Sequence, residues 1–229
     1  MKPPFLEIID ALEKFYGPHP APAESGPLEM VLLENSAYLV GDEQRERAFN
    51  ALRDHIGLTP SDILSASPEE LFSIAEMGGP MPELRVKKLC GIATTAMAGF
   101  DGDMRKILQL PLSQAKKALK KFPGIGDPGA EKILLFCRAY AVPAFESNGL
   151  RALTRLGFAD SGKSYSAAYN EAREKVLAQT GPDFDLLIKS YHLLRRHGQE
   201  LCKRKTPLCG PCPLNDRCPY FVETNLGFA

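Results

Sequence analysis

The chain holds no apolar run approaching the ~18 residues of a membrane-spanning helix, and no charged-then-apolar leader opens it. Both absences argue against a membrane role and predict a place in the cell interior, in the cytoplasm or nucleoid. No stretch alternates cleanly between apolar and polar residues, so strands have little support and the expected fold class is all-α. Internal repeats and low-complexity tracts are absent as well. The chain also lacks net charge, with 28 Lys+Arg against 28 Asp+Glu. That balance looks wrong for a nucleic-acid-binding protein until the chain is cut at residue 80. Residues 1–80 carry five basic and fourteen acidic side chains, net −9, whereas residues 81–229 carry 23 and 14, net +9. Such segregation fits a basic nucleic-acid face backed by an acidic one, and equally fits two solvated faces with no partner.

The 229 residues allow one large or two modest domains. The stretch from Leu112 to Arg151 organises the rest. Ala115, Ala118, Leu119 and Phe122 recur at helical spacing while Lys116, Lys117, Lys120 and Lys121 fall on other faces, which predicts a basic amphipathic helix over 113–122. Pro123-Gly124-Ile125-Gly126 stops it. Asp127 is a good N-cap, Pro128 suits the first helical position, and Ala130, Ile133, Leu134 and Cys137 give the next helix its apolar stripe. A helix, a Gly-Ile-Gly turn and a second helix form a helix-hairpin-helix. The glycines admit a close backbone approach and the amides at the second helix's start suit a phosphate. A plain turn between packed helices is the alternative.

Elsewhere, Phe5 to Phe15 reads as a short helix with Phe5, Leu6, Ile9, Leu12 and Phe15 on one side, followed by a surface connection over 17–22. Residues 28–40 read as a buried helix interrupted by Glu34, Asn35 and Ser36, polar groups that need partners or a functional surface. Further helices are expected over 43–55, 83–100, 147–156, 165–179 and 184–197, the last ending at Gly198 as a C′ glycine. Ser67 with Glu70 is a capping-box pattern.

Cys202, Cys209, Cys212 and Cys218 form C-x6-C-x2-C-x5-C within 17 residues. That is too compact for two comfortable disulfides and well suited to four thiolates around one centre, zinc or an iron–sulfur cluster. Cys90 and Cys137 read as core residues, and His192 and His197 as helix-surface or capping residues.

The hairpin, the segment Glu146-Ser147-Asn148-Gly149-Leu150-Arg151-Ala152-Leu153, and His197-Gly198 leading into the four cysteines follow in one order and spacing. Together they resemble the endonuclease III branch of the helix-hairpin-helix DNA glycosylases, from about Leu28 to Tyr220. The resemblance implies a six-helix barrel domain over 28–139 that holds the hairpin at 113–137. It also implies a discontinuous second domain, 1–27 with 140–229, whose loop 202–218 carries a four-iron four-sulfur cluster, with zinc as the alternative. The implied partner is double-stranded DNA containing a damaged or mispaired base, bound by a monomer. The implied activity is hydrolysis of the N-glycosidic bond of the flipped base.

The same resemblance assigns residues. Glu146 stands where the family has a catalytic aspartate, a departure of one methylene. Pro128 stands where bifunctional members have the lysine that attacks C1′, so the expectation is a monofunctional enzyme. Lys132, four residues on, is the alternative amine for a lyase. Gly124, Ile125 and Gly126 would meet DNA. Asn35 and Ser36 fall where the family fills the gap left by the flipped base, Met81 where it has a wedge, and Asn148 where adenine-excising relatives have asparagine. Lys203, Arg204 and Lys205 would face phosphates. A lesion-binding protein that has lost catalysis is the competing reading.

Overall fold

At Thr59 and Ser67, each three positions before an acidic residue, a helix begins. Thr59 with Asp62 and Ser67 with Glu70 form complete capping boxes, each followed by proline at the first helical position. The computed structural model describes residues 3–18 and 25–226, and residues 19–22 of the expected surface connection lie outside them. Among the described residues every regular element is helical. The chain divides into two units, Glu24–Ala139 and Met1–Ala23 with Tyr140–Ala229.

In the first unit the helices are α2 (Pro27–Ser36), α3 (Asp42–His55), α4 (Pro60–Ser65), α5 (Pro68–Met77), α6 (Pro82–Phe100), α7 (Leu112–Leu119) and α8 (Asp127–Phe136), whereas the helix Phe5–Tyr16, α1, belongs to the other unit. The long α6 packs against α2, α4 and α5. Leu52, Ile63, Leu89, Ile92, Met104 and Ile107 form its fully buried centre. The helix expected over 28–40 stops at Ser36, because Ala37 turns extended and Leu39 takes a positive φ of 55°. Asp127 is not the N-cap of α8. Gly126 takes that place, its carbonyl accepting the Ala130 amide at 2.9 Å, so Asp127 and Pro128 are the first two helical residues.

The second unit holds α1 (Phe5–Tyr16), α9 (Ser147–Arg155), α10 (Tyr165–Thr180), α11 (Phe184–Glu200) and α12 (Pro219–Leu226). α11 packs along α9, and α1 covers α10 and α11. Phe5, Ile8, Ile9 and Leu12 are the buried face of α1, whereas Leu6 and Phe15 are exposed, so the expected stripe is rotated by part of a turn. Phe5 meets Phe158 edge to face at 5.7 Å. Gly198 does not end α11, which continues to Glu200. It is a contact glycine instead: a Cβ there would stand 2.5 Å from the Asn148 carbonyl oxygen on α9.

Candidate functional site

The hairpin turn is built from one left-handed residue and one anchor. Gly124 has φ +74°, which favours glycine, while Gly126 is extended. Ile125 is buried, its amide bonded to the Phe122 carbonyl at 3.2 Å. The anchor is Asn35, whose Nδ2 donates to Val31 O and to Pro123 O, both at 2.9 Å. Ser36 is also buried, donating from Oγ to Leu33 O at 2.9 Å. These two side chains, expected at a DNA-contacting surface, are therefore engaged within the protein.

Charge around the hairpin is paired across it. Lys120 Nζ lies 3.0 Å from Asp127 Oδ2, and Lys116 Nζ bridges Asp127 Oδ1 at 3.4 Å and the buried Glu131 Oε1 at 2.5 Å. The Lys120 hydrogen bond is the chief reason that the Asp127 carboxyl sits below its ordinary pKa. Lys117 and Lys121 remain exposed. Lys132 is held at 2.5 Å by Glu34 Oε1 on α2, with Nζ 5.8 Å from the Phe136 ring centre.

Glu146 caps α9. Its Oε1 accepts the Gly149 amide and its Oε2 accepts Asn148 Nδ2, both at 2.7 Å. Asn148 in turn takes Arg151 Nη2 on its Oδ1 at 2.8 Å. Arg151 also donates to Gly198 O at 2.7 Å and to Cys202 O at 2.9 Å. Arg155 donates to Lys203 O at 2.8 Å, to Arg204 O at 3.2 Å and to Cys202 Sγ at 3.3 Å, and its guanidinium lies 4.6 Å over the Tyr220 ring. Two arginines of α9 thus fix the backbone of the loop that exposes Lys203, Arg204 and Lys205. Sequence reading missed both, since an arginine on a helix gives no sign that its partners are carbonyls fifty residues away. Tyr165 was missed too. Burial first, and then the charge of Glu146, raise its phenol pKa, which puts Tyr165 in the electrostatic reach of that carboxylate.

Cys202, Cys209, Cys212 and Cys218 line one cavity whose other walls include Leu156, Leu201, Leu208, Leu214, Tyr220 and Phe221. None is in a disulfide. Burial and the neighbouring sulfurs push the Cys212 thiol up to about 11 and raise Cys209 and Cys218 in the same way. Among the described residues, no three His, Cys, Asp or Glu side chains are arranged to hold a single metal ion. His197, expected as a helix-surface or capping residue, is buried. Its Nδ1 is 3.2 Å from Tyr16 Oη and its Nε2 3.8 Å from Cys212 Sγ, and desolvation lowers its pKa to about 4. Cys90 and Cys137 are half-buried.

Met81 stands at φ 62°, half exposed, on the loop before α6. That loop is held by the buried Arg85, which donates to Ala75 O at 2.6 Å, Pro80 O at 3.0 Å and Gly79 O at 3.3 Å. A cavity of about 400 Å³ opens beside it, lined by Glu34, Asn35, Tyr38, Met81, Lys88 and Gly124 among others.

No family model matches the chain. Endonuclease III of Sulfolobus acidocaldarius is 25% identical over 197 residues, spanning 86% of this chain and 81% of the relative. Thymine-DNA glycosylase of Aeropyrum pernix is 26% identical over 162 residues, 71% of this chain and 69% of the relative. Among solved structures, a trapped endonuclease III–DNA covalent intermediate superposes with a TM-score of 0.74 over 96% of both chains at 18% identity. A thermostable thymine-DNA glycosylase does so with 0.75 over 95% of this chain and 96% of the other, at 15% identity. By sequence and by fold together, this all-α chain is similar to endonuclease III and to thymine-DNA glycosylases.

Proposed function

We propose that the chain is a DNA glycosylase of base excision repair, a hydrolase that removes a damaged or mispaired base and leaves an intact strand with an abasic site. The observation that carries this reading is the Glu146 carboxylate, fixed at the start of α9 by two bonds of 2.7 Å. As the base departs, positive charge develops at C1′ of the sugar. A fixed anion stabilises that charge and accepts a proton from the attacking water, whose oxygen bonds C1′ as the C1′–N bond breaks. Because Glu146 folds back onto the Gly149 amide, its extra methylene is taken up in the turn, which supports a glutamate doing the work of an aspartate.

Monofunctional action follows from two residues. Pro128 has no amine, and the Lys132 amine is engaged by Glu34 Oε1 at 2.5 Å rather than standing open to a sugar carbon. The names of relatives that remove thymine support base excision, while those called endonuclease III keep a bifunctional reading through Lys132 as the second candidate. A lesion-binding protein without catalysis is favoured only by the capping bonds that engage both oxygens of Glu146.

The bound partner is duplex DNA and the acting form a monomer. In this reading Gly124, Ile125 and Gly126 present the hairpin backbone, while Lys203, Arg204 and Lys205 meet phosphates. Asn148 steadies Glu146, Asn35 holds the turn from behind while Ser36 bonds within its own helix, and Met81 is the wedge.

The four cysteines suit a four-iron four-sulfur cluster better than zinc. One tetrahedral zinc ion with sulfur at about 2.3 Å would draw all four sulfurs within roughly 4 Å of each other. A cluster that takes one thiolate per iron spaces them further apart around an apolar cavity such as this one. When bound, it supplies a structural cross-link for the basic loop.

The test is single-turnover incubation with duplexes that each carry one modified or mispaired base, read with and without hot alkali. Strand breaks only after alkali, lost in Glu146→Gln, are expected. Processing by the variant at the parent's rate would overturn the assignment.

A further inference from the structure

The residues that the family resemblance places in the gap of the base stack, Asn35 and Ser36, are 5% and 4% exposed and engaged with backbone carbonyls. The donor groups of both side chains are thus already occupied within the protein, although Asn35 still borders the cavity beside Met81. Just beyond them the chain does something costly. Tyr38 is 55% exposed and Leu39 77%, and Leu39 sits at φ 55°, a left-handed conformation that is strained for a leucine. Met81, 51% exposed at φ 62°, repeats the arrangement on the neighbouring loop.

The two loops are locked together. Tyr38 N donates to Gly78 O at 2.9 Å. A Cβ on Gly78 would come within 2.0 Å of Ser36 O, and one on Gly79 within 2.6 Å of Tyr38 O, so only glycine admits this approach. Arg85 then fixes residues 79 and 80 from beneath. Strained, exposed apolar side chains on a rigid base are what a group pushed between stacked bases requires, since a mobile tip would fold away. Tyr38 and Met81 border one cavity together with Lys88, Glu34, Leu84 and Gly124 of the hairpin turn.

Building on the DNA reading above, we propose that Leu39 is a second wedge, entering the base stack beside Met81, so that gap filling is moved in this chain from residues 35 and 36 to the Tyr38-Leu39 tip. The occupant of this apolar tip is a base step of duplex DNA. It leaves the tip exposed when DNA is absent, and the backbone strain is retained for that contact.

The experiment uses the full chain and a duplex that carries 2-aminopurine opposite a tetrahydrofuran abasic analogue. Binding is followed by fluorescence anisotropy of an end label, and unstacking by 2-aminopurine emission. For the parent, binding with a rise in emission is expected. Leu39→Gly, compared with the parent at saturating protein, is expected to lose most of the emission rise and to melt at a higher temperature because glycine relieves the left-handed backbone. Leu39→Asn, which tolerates the same backbone, keeps the test independent of glycine's flexibility. An emission rise in both variants equal to the parent's overturns the proposal. A parent that binds but never unstacks the probe overturns the wedge alone, and a parent that binds no duplex overturns the DNA reading with it.

Discussion

Replacing Gly198 by alanine isolates the packing that sets the position of Glu146. The new Cβ would lie 2.5 Å from Asn148 O and 2.7 Å from the Asn148 carbonyl carbon, where an ordinary contact begins at 3.4 Å. Backbone cannot swing aside as a side-chain tip does, so α9 and α11 must separate locally by roughly 1 Å. Overpacking of this kind costs about 1–3 kcal/mol, partly offset by about 1 kcal/mol from alanine's better helix propensity. The net loss of stability is therefore small, at most about 2 kcal/mol. The catalytic loss is not. Asn148 holds Glu146 Oε2, and misplacing a reacting group by about 1 Å costs on the order of 10²-fold in rate. Urea denaturation with a single-turnover glycosylase assay reads both. A variant that is as active as the parent would refute the claim that the contact between α9 and α11 positions the carboxylate.

Arg85→Met removes a buried cation that serves one carbonyl of α5 and two of the loop before α6. It is expected to cost about 2–4 kcal/mol in chemical denaturation, and a loss below the error of the measurement would show those bonds to be replaceable by water. Lys132→Met should leave base removal at the parent's rate, and borohydride should trap neither protein on abasic DNA. A covalent adduct with the parent that disappears in the variant would instead establish Lys132 as a lyase nucleophile.

The sequence by itself determined whatever depends on neighbours along the chain. Helix starts at Thr59 and Ser67 are written in capping boxes, the break at Gly124 in a residue type that alone takes φ +74° at no cost, and the all-α class in spacing without alternation. The order and spacing of hairpin, α9 segment and cysteines were legible for the same reason. The tertiary structure decided what depends on contacts far along the chain. Asn35 is polar and looks available in the sequence, yet its amide crosses to Pro123, 88 residues away. Gly198 reads as a helix terminator until α9 is seen pressed against it. Arg151 and Arg155 read as ordinary helix cations until the carbonyls of 198 and 202–204 appear beside them. Leu39, apolar in an apolar stretch, reads as core; only the end of α2 at Ser36 and the lock between two loops turn it outward. A local pattern fixes where the backbone bends, but which side chains a bend exposes depends on what the rest of the chain packs against it.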